Sequence, residues 1–335
     1  MKFYEINLQI FATQTTLLST PGNDLSPEMK TFYDKDLIRQ AEPNLVHGQF
    51  GVAKPIPAGN GKKIEFRKST PLAKVTAPLV EGVTPEGNKL NFTTIDAEVL
   101  QYGDYIPLSD VLELTAIDNL IVEQTRLLAN QAARTLDSID RDALHLGTNV
   151  YYAPKADGTP VESRSALTKD CVLTPDLIME IVAQLRSANA PTFDGYYVCI
   201  LHPYVALDIM LSEGWRKPHE YVNTENIYKG EIGEYGGVRF VQSSEAKIYG
   251  EGDGVPAGLA VYGTLFMGAD AYGTTEVEGG GLEMIVKQKG AGEDPLNQRS
   301  SVGWKAMRVT TILVEDYIVR VESVSSKGST RSKKN

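Results

Sequence analysis

The sequence predicts an α+β chain that finishes folding against other molecules, and three stretches carry that prediction. A helical pattern runs over Asp110–Leu146, a Pro/Gly-rich hairpin with no core of its own precedes it, and a compact segment of alternating helix and strand follows. An enzyme more often folds around one pocket of its own. With 335 residues, 42% hydrophobic and 23% charged, the chain can bury a large core in two or three lobes. No stretch approaches the ~18 to 20 apolar residues of a membrane-crossing helix.

The chain opens on Met1–Ala12, where Glu5, Asn7 and Gln9 interrupt any signal-peptide core, so an extended arm and a cytoplasmic protein are expected. Residues 1–55 read as this arm. Within it Ser26-Pro27-Glu28 opens a short helix through Met29–Ile38, between turn chemistry at 20–23 and 54–61. Cys171 and Cys199 form no CxxC pair and suit a reducing compartment, which leaves the sequon Asn91-Phe92-Thr93 to chance. The net charge of −10 opposes tight binding of duplex DNA, because counterion release needs a basic face. The short basic tail at 326–335 (Lys327, Arg331, Lys333, Lys334) is Ser-rich and reads as disordered.

Strand alternation appears at Ile64–Lys68 and at Thr94–Val99, continuing through Leu100–Ile106. Between them lies Thr70–Asn91, broken by Pro71, Pro78, Gly82, Pro85 and Gly87. It is longer than the ~12 to 15 residues that compact domains tolerate as structureless loop. A loose surface loop is one account. A hairpin packing on a neighbouring chain better explains Leu72, Val75, Leu79 and Val83, which have no core to enter and are the candidate inter-subunit contacts.

Asp110 and Glu113 have capping-box spacing ahead of the long helix. Leu114, Ile117, Leu120 with Ile121, Gln124, Leu127 with Leu128, Gln131 with Ala132, Thr135 with Leu136, Ile139 and Ala143 mark its apolar stripe, with Glu123, Arg126, Asn130, Arg134, Asp137 and Arg141 opposite and Gly147 as its stop. Unbroken, it would span about 55 Å. The stripe is wider than a coiled-coil seam, so packing on a sheet is expected. Thr174-Pro175-Asp176 then caps a helix with Leu177, Ile178, Ile181 and Leu185 inward. Tyr196–Leu201 reads as a buried strand, and His202-Pro203 opens a helix through Leu211. Strands follow at Val238–Val241, Leu259–Tyr262, Leu282–Lys287, Trp304–Val314 and Tyr317–Val321, the last two returning to cover the long helix.

Searches for chemistry fail, so no catalytic, cofactor-binding or metal residue is assigned. His47, His145, His202 and His219 share no metalloprotease or triad spacing, and His202 before a helix-opening proline reads as structural. Gly59-Asn-Gly-Lys62 lacks the first glycine and the final Ser/Thr of a phosphate loop. Gly250–Gly254 lacks a calcium ligand ladder, and Gly279–Gly281 precedes no capped helix. The carboxylate pairs Glu315/Asp316 and Asp137/Asp140 fit surface or bend positions.

The blocks Phe92–Leu114, Gly236–Val241, Leu265–Gly273 and Asn297–Val321 resemble the major capsid proteins of the phage N4 family of tailed bacteriophages, over roughly residues 20–325. The opening Asn7–Ala12 also resembles the start of many capsid-related proteins from phages of Gram-positive hosts. The resemblance implies the tailed-phage and herpesvirus capsid fold of the Hong Kong phage type. It would make 1–55 the arm, 56–108 the extended loop, 109–169 with 291–325 the peripheral domain, 170–290 the axial domain and 326–335 the tail. It implies a non-enzymatic subunit of a virion capsid, assembled in the host cytoplasm from hexamers and pentamers. Expected partners are a separate scaffolding protein, a portal and packaged DNA contacted weakly and non-specifically, with no cofactor and no membrane. Some relatives crosslink lysine to asparagine; Lys62, Lys63, Lys74 and Lys89 lie near the loop, with no acceptor identified. The alternatives are an encapsulin-type compartment, a tail or decoration protein, and a hydrolase using His202.

Overall fold

A computed structural model describes residues 45–69, 72, 74, 76, 78, 82, 87, 89–115, 120–212, 214–215, 231–289, 294, 296–328 and 335. The expected arm up to residue 44, with its helix at Met29–Ile38, lies outside them. In chain order the elements are β1 (Val52–Ala53), β2 (Lys63–Ser69), β3 (Phe92–Glu98), β4 (Leu100–Ser109), α1 (Asp110–Thr115), α2 (Leu120–Leu144), β5 (Val150–Tyr152), α3 (Pro175–Ser187), β6 (Tyr197–Leu201), α4 (Pro203–Leu211), β7 (Glu231–Tyr235), β8 (Val238–Gln242), β9 (Ile248–Tyr249), β10 (Val261–Met267), β11 (Tyr272–Thr275), β12 (Glu283–Lys287), β13 (Arg299–Ile312) and β14 (Ile318–Val324). The chain divides into two compact units, one of 1–45, 101–137 and 279–308, the other of 46–100, 138–278 and 309–335.

The larger unit is built on a mixed sheet in the order β5-β14-β10-β6-β8-β7, with β9 also pairing β10. All five residues of β6 and all seven of β10 are buried, as continuous apolar runs in a sheet covered on both faces must be. On one face Ile178, Ile181 and Leu185 of α3 and Val205 and Ile209 of α4 pack over Cys199, Phe240 and Phe266. Thr174 caps α3, its hydroxyl accepting from Leu177 N at 3.3 Å, with Pro175 in the first turn as read from the sequence. On the other face Val46, Phe50 and Leu144 cover Val198, Ile200, Val241, Leu265 and Met267. The turn at 47–50 is fixed there by the buried Tyr272, whose hydroxyl donates to His47 O at 2.5 Å and accepts from Phe50 N at 3.2 Å. β7 and β8 join through Gly236 and Gly237, at φ +62° and +85°, a left-handed pair that favours glycine; a Cβ on Gly236 would also sit 2.6 Å from Met179 Sδ. In the same unit β11 pairs antiparallel with the end of β13 and parallel with β1.

In the smaller unit β12 runs antiparallel to Ser301–Lys305 of β13, and β4 also pairs β13. Gln131 of α2 ties helix to sheet: its amide donates to Asp104 Oδ2 at 2.6 Å and accepts from Trp304 Nε1 at 3.2 Å.

Four sequence expectations are corrected. The cap of α1 is Ser109, whose hydroxyl accepts from Leu112 N at 3.3 Å, while Asp110 bonds Val111 N; the capping position lies one residue earlier than the sequence spacing placed it. The stripe of α2 holds at Leu128, Ala132 and Leu136, which are buried, but is shifted toward Ala129 and Ala133, also buried, while Leu127 is 52% exposed. Asp137, Asp140 and Arg141 are buried too, tolerated where polar partners exist, as in Thr310 Oγ1 to Asp140 Oδ1 at 2.5 Å and Arg141 Nη1 to Glu245 O at 2.7 Å. The expected return of the C-terminal strands to the long helix is seen in Thr310 of β13 bonding Asp140 and in Ile318 of β14 sharing a core cluster with Leu144, while the ladder partners of β14 are β10 and β5. The tail is held where it is described: Ser326 bonds Asp208, and the Asn335 amide donates to Ala246 O and accepts from Ile248 N. The helix itself is described as α1 and α2, ending at Leu144, three residues short of Gly147.

Candidate assembly surfaces

The hairpin expected from the sequence forms as β2 antiparallel to β3, in a register running from Lys63 opposite Glu98 to Ser69 opposite Phe92. Strand alternation divides it into two faces. Ile64 and Phe66, with Ala97 across from Ile64, are buried; Phe66 closes on Gly273 of β11, where a Cβ would meet its ring at 2.8 Å. Val99 N donates to Lys62 O at 2.8 Å and shuts the base. The opposite face carries Lys63, Glu65, Arg67, Asp96 and Glu98 in water. A Lys62–Glu98 ion pair at 2.5 Å holds the Glu98 carboxyl below its ordinary range, chiefly through the hydrogen bond from Lys62.

At the far end this wet face changes character. Phe92 is 58% exposed on the same side as Asp96 and Glu98, and Leu90 next to it along the chain is 61% exposed. Leu72, past the other end of the ladder, is 55% exposed; Val75, Leu79 and Val83 lie outside the described residues. Phe92 and Leu90 were missed as contact residues, although Phe92 has the parity of the charged positions and so sits in the wrong place for a core residue. In the smaller unit Tyr105, Val111, Leu112, Leu127 and Leu296 are further exposed apolar side chains.

Buried polar chemistry serves the scaffold. Arg164 grips the fully buried Glu322 with two bonds of 2.6 and 2.5 Å, donates to Asp253 O at 2.8 Å and lies 3.7 Å over the Tyr249 ring. Arg320 approaches the same carboxylate at 3.2 Å. Such a fork joins three segments far apart in sequence. The Gly250–Gly254 turn closes on itself, Gly250 N donating to Asp253 Oδ2 at 3.2 Å. His202 caps α4, as its place before Pro203 suggested. Burial keeps it neutral down to about pH 4 and His145 down to about 3, while burial pushes the Cys199 thiol up. Among the described residues no His/Cys/Asp/Glu group is arranged to hold a metal ion, and no described helix is long and apolar enough to cross a membrane. Lys74 and Lys89 are exposed.

A family model described as phage capsid protein matches residues 92–321. The capsid of Ralstonia phage GP4 superposes with a TM-score of 0.63 at 15% identity, over 84% of this chain and 88% of that one. The capsid of cyanophage Pam1 gives 0.63 at 11% identity, over 86% and 92%. The SrpI encapsulin complex of Synechococcus elongatus PCC 7942 gives 0.52 at 12% identity, over 98% of each. Comparison with curated proteins finds no match. At such identities the structural likenesses speak for the fold.

Proposed function

Because the chain belongs to the phage capsid protein family and has the fold of tailed-phage major capsid proteins, we propose that it builds hexamers and pentamers of an icosahedral shell enclosing a double-stranded DNA genome. Its role as major capsid protein and its place in the virion capsid come with the family. Family and fold are those of a structural protein. The family match over more than half the chain carries this reading, and it weighs against an encapsulin compartment, which shares the fold.

The finer assignments extend that reading. The hairpin of 56–108 serves as the extended loop reaching a neighbour, 109–169 with 291–325 as the peripheral domain and 170–290 as the axial domain. Leu72, Val75, Leu79 and Val83 make apolar contacts between chains; the exposure of Leu72 supports this, and Leu90 and Phe92 join them. Each contact need only be modest, because a subunit held by several neighbours gains by multivalency. Assembly in the host cytoplasm uses a separate scaffolding protein and a portal, and the acidic balance of −10 fits DNA held loosely. Within that family the chain is of the phage N4 type, a reading supported by the resemblance of the blocks at 92–114, 236–241, 265–273 and 297–321. Expression alone and with neighbouring genes, followed by negative-stain electron microscopy, tests the proposal. Closed shells or capsomers are expected from the wild type. Val75→Asp with Leu79→Asp should leave a folded subunit that makes none, and particles like wild type from that double variant would refute the contact assignment.

A further inference from the structure

The segment Ser325–Gly328 is seated on α4 by bonds that converge around one histidine. Ser325 Oγ donates to Tyr204 O at 3.2 Å and accepts from Gly328 N at 3.2 Å. The Asp208 carboxylate accepts from Ser326 N at 2.9 Å and from Ser326 Oγ at 2.5 Å. Gly328 is pressed against two tyrosines so closely that a Cβ there would lie 2.5 Å from Tyr262 Oη and 2.6 Å from the Tyr204 ring. Those two rings pack on His202, at 5.4 Å for Tyr204 and 4.8 Å for Tyr262, and edge-on against each other at 6.5 Å. His202 holds its place by accepting Tyr204 N–H at Nδ1, 3.2 Å away, so its proton is on Nε2.

We propose that Ser325–Gly328 is an acid-released strap, freed from α4 when His202 takes a proton at Nδ1. A proton from solvent converts Nδ1 from acceptor to donor and sets it against the Tyr204 N–H. The ring must then leave the cap, and the two tyrosines that seat Gly328 lose the ring packed against both. The titratable and charged groups facing this cluster are Tyr204 and Asp208 of α4, Tyr262 of β10 and Lys327 of the strap itself. Burial holds the imidazole neutral down to about pH 4, below its ordinary value of 6.5. The sign follows from that: the seated form binds fewer protons than the released one, so it is fully favoured above pH 6.5 and is lost as pH falls toward 4. This inference is independent of shell assembly.

Hydrogen exchange of the full chain between pH 6.5 and 3.5, corrected for the intrinsic pH dependence, tests it. The Ser326 and Gly328 amides should lose protection progressively as pH falls from 6.5 to about 4, by about a hundredfold in all, while β6 amides stay protected. His202→Asn keeps an acceptor at the cap without a titrating ring, and its strap should stay protected through that range. Loss of protection at the same pH in both proteins would assign the change to Asp208 and overturn the proposal. So would loss only together with β6, or no loss at all in the wild type.

Discussion

The seven-stranded sheet and the β2–β3 hairpin obey opposite rules. In the sheet β6 and β10 are buried along their whole length, covered by helices on one face and by the 46–50 turn with Leu144 on the other. The hairpin has one buried face near its base and one wet face that ends on Phe92, with Leu90 and Leu72 exposed beyond. Burying apolar surface is worth about 25 cal/mol per Å², so a side chain held in water forgoes that gain in the free subunit. The difference teaches where each free energy resides: the sheet stabilises the chain, and the hairpin end holds its gain in reserve for a neighbour.

The largest expected effect breaks the sheet. Phe240 is fully buried, edge-on to Trp215 at 5.2 Å and to Phe266 at 6.3 Å. Phe240→Ala should cost about 3–5 kcal/mol in urea unfolding, through lost transfer energy and the cavity left behind. A cost under about 1 kcal/mol would mean that this core collapses freely and does not set the stability.

A middle-sized effect comes from pH. His145 is buried at the end of α2 near Arg320 and Arg141, and burial lowers its value to about 3. The unfolded chain binds its proton near pH 6.5, so stability is lost as pH falls below that, by about 2 kcal/mol between pH 7.5 and 5. Denaturant midpoints over that range should show it, and His145→Gln should flatten the slope by that amount. An unchanged slope in the variant would remove His145 from the acid response.

These two regions also differ in how far they could be read in advance. Local chemistry was legible: Thr174 with Pro175, the buried run at 197–201, the His202 cap and the strand alternation at 64–68 and 94–99 all hold. What pairs with what was not. Parallel β14–β5 and β6–β8, and the Arg164–Glu322 grip across 158 positions, depend on contacts that no local period encodes. The polar positions of α2 misled for a related reason: Asp137, Asp140 and Arg141 look solvated until their distant partners are in place. Phe92 gave a signal by its parity, but the more conspicuous Pro/Gly stretch drew attention to Leu72, Val75, Leu79 and Val83.

The smallest effect on the subunit sharpens the comparison most. Phe92→Asp continues the charged face of β3 toward its end and removes no buried contact, so monomer stability should move by no more than about 0.5 kcal/mol. In a shell the same carboxylate would be desolvated against a neighbour, which costs far more than one lost apolar contact. Shells should therefore fail to form from a subunit that melts normally, and Phe92→Leu should restore them. Melting curves and electron microscopy on the same preparation separate the two quantities. Normal shells from Phe92→Asp would move the contact away from this end of the hairpin. A subunit destabilised by 2 kcal/mol or more would show that Phe92 already packs within its own chain, and the division between a stabilising sheet and a hairpin held for a neighbour would fail there.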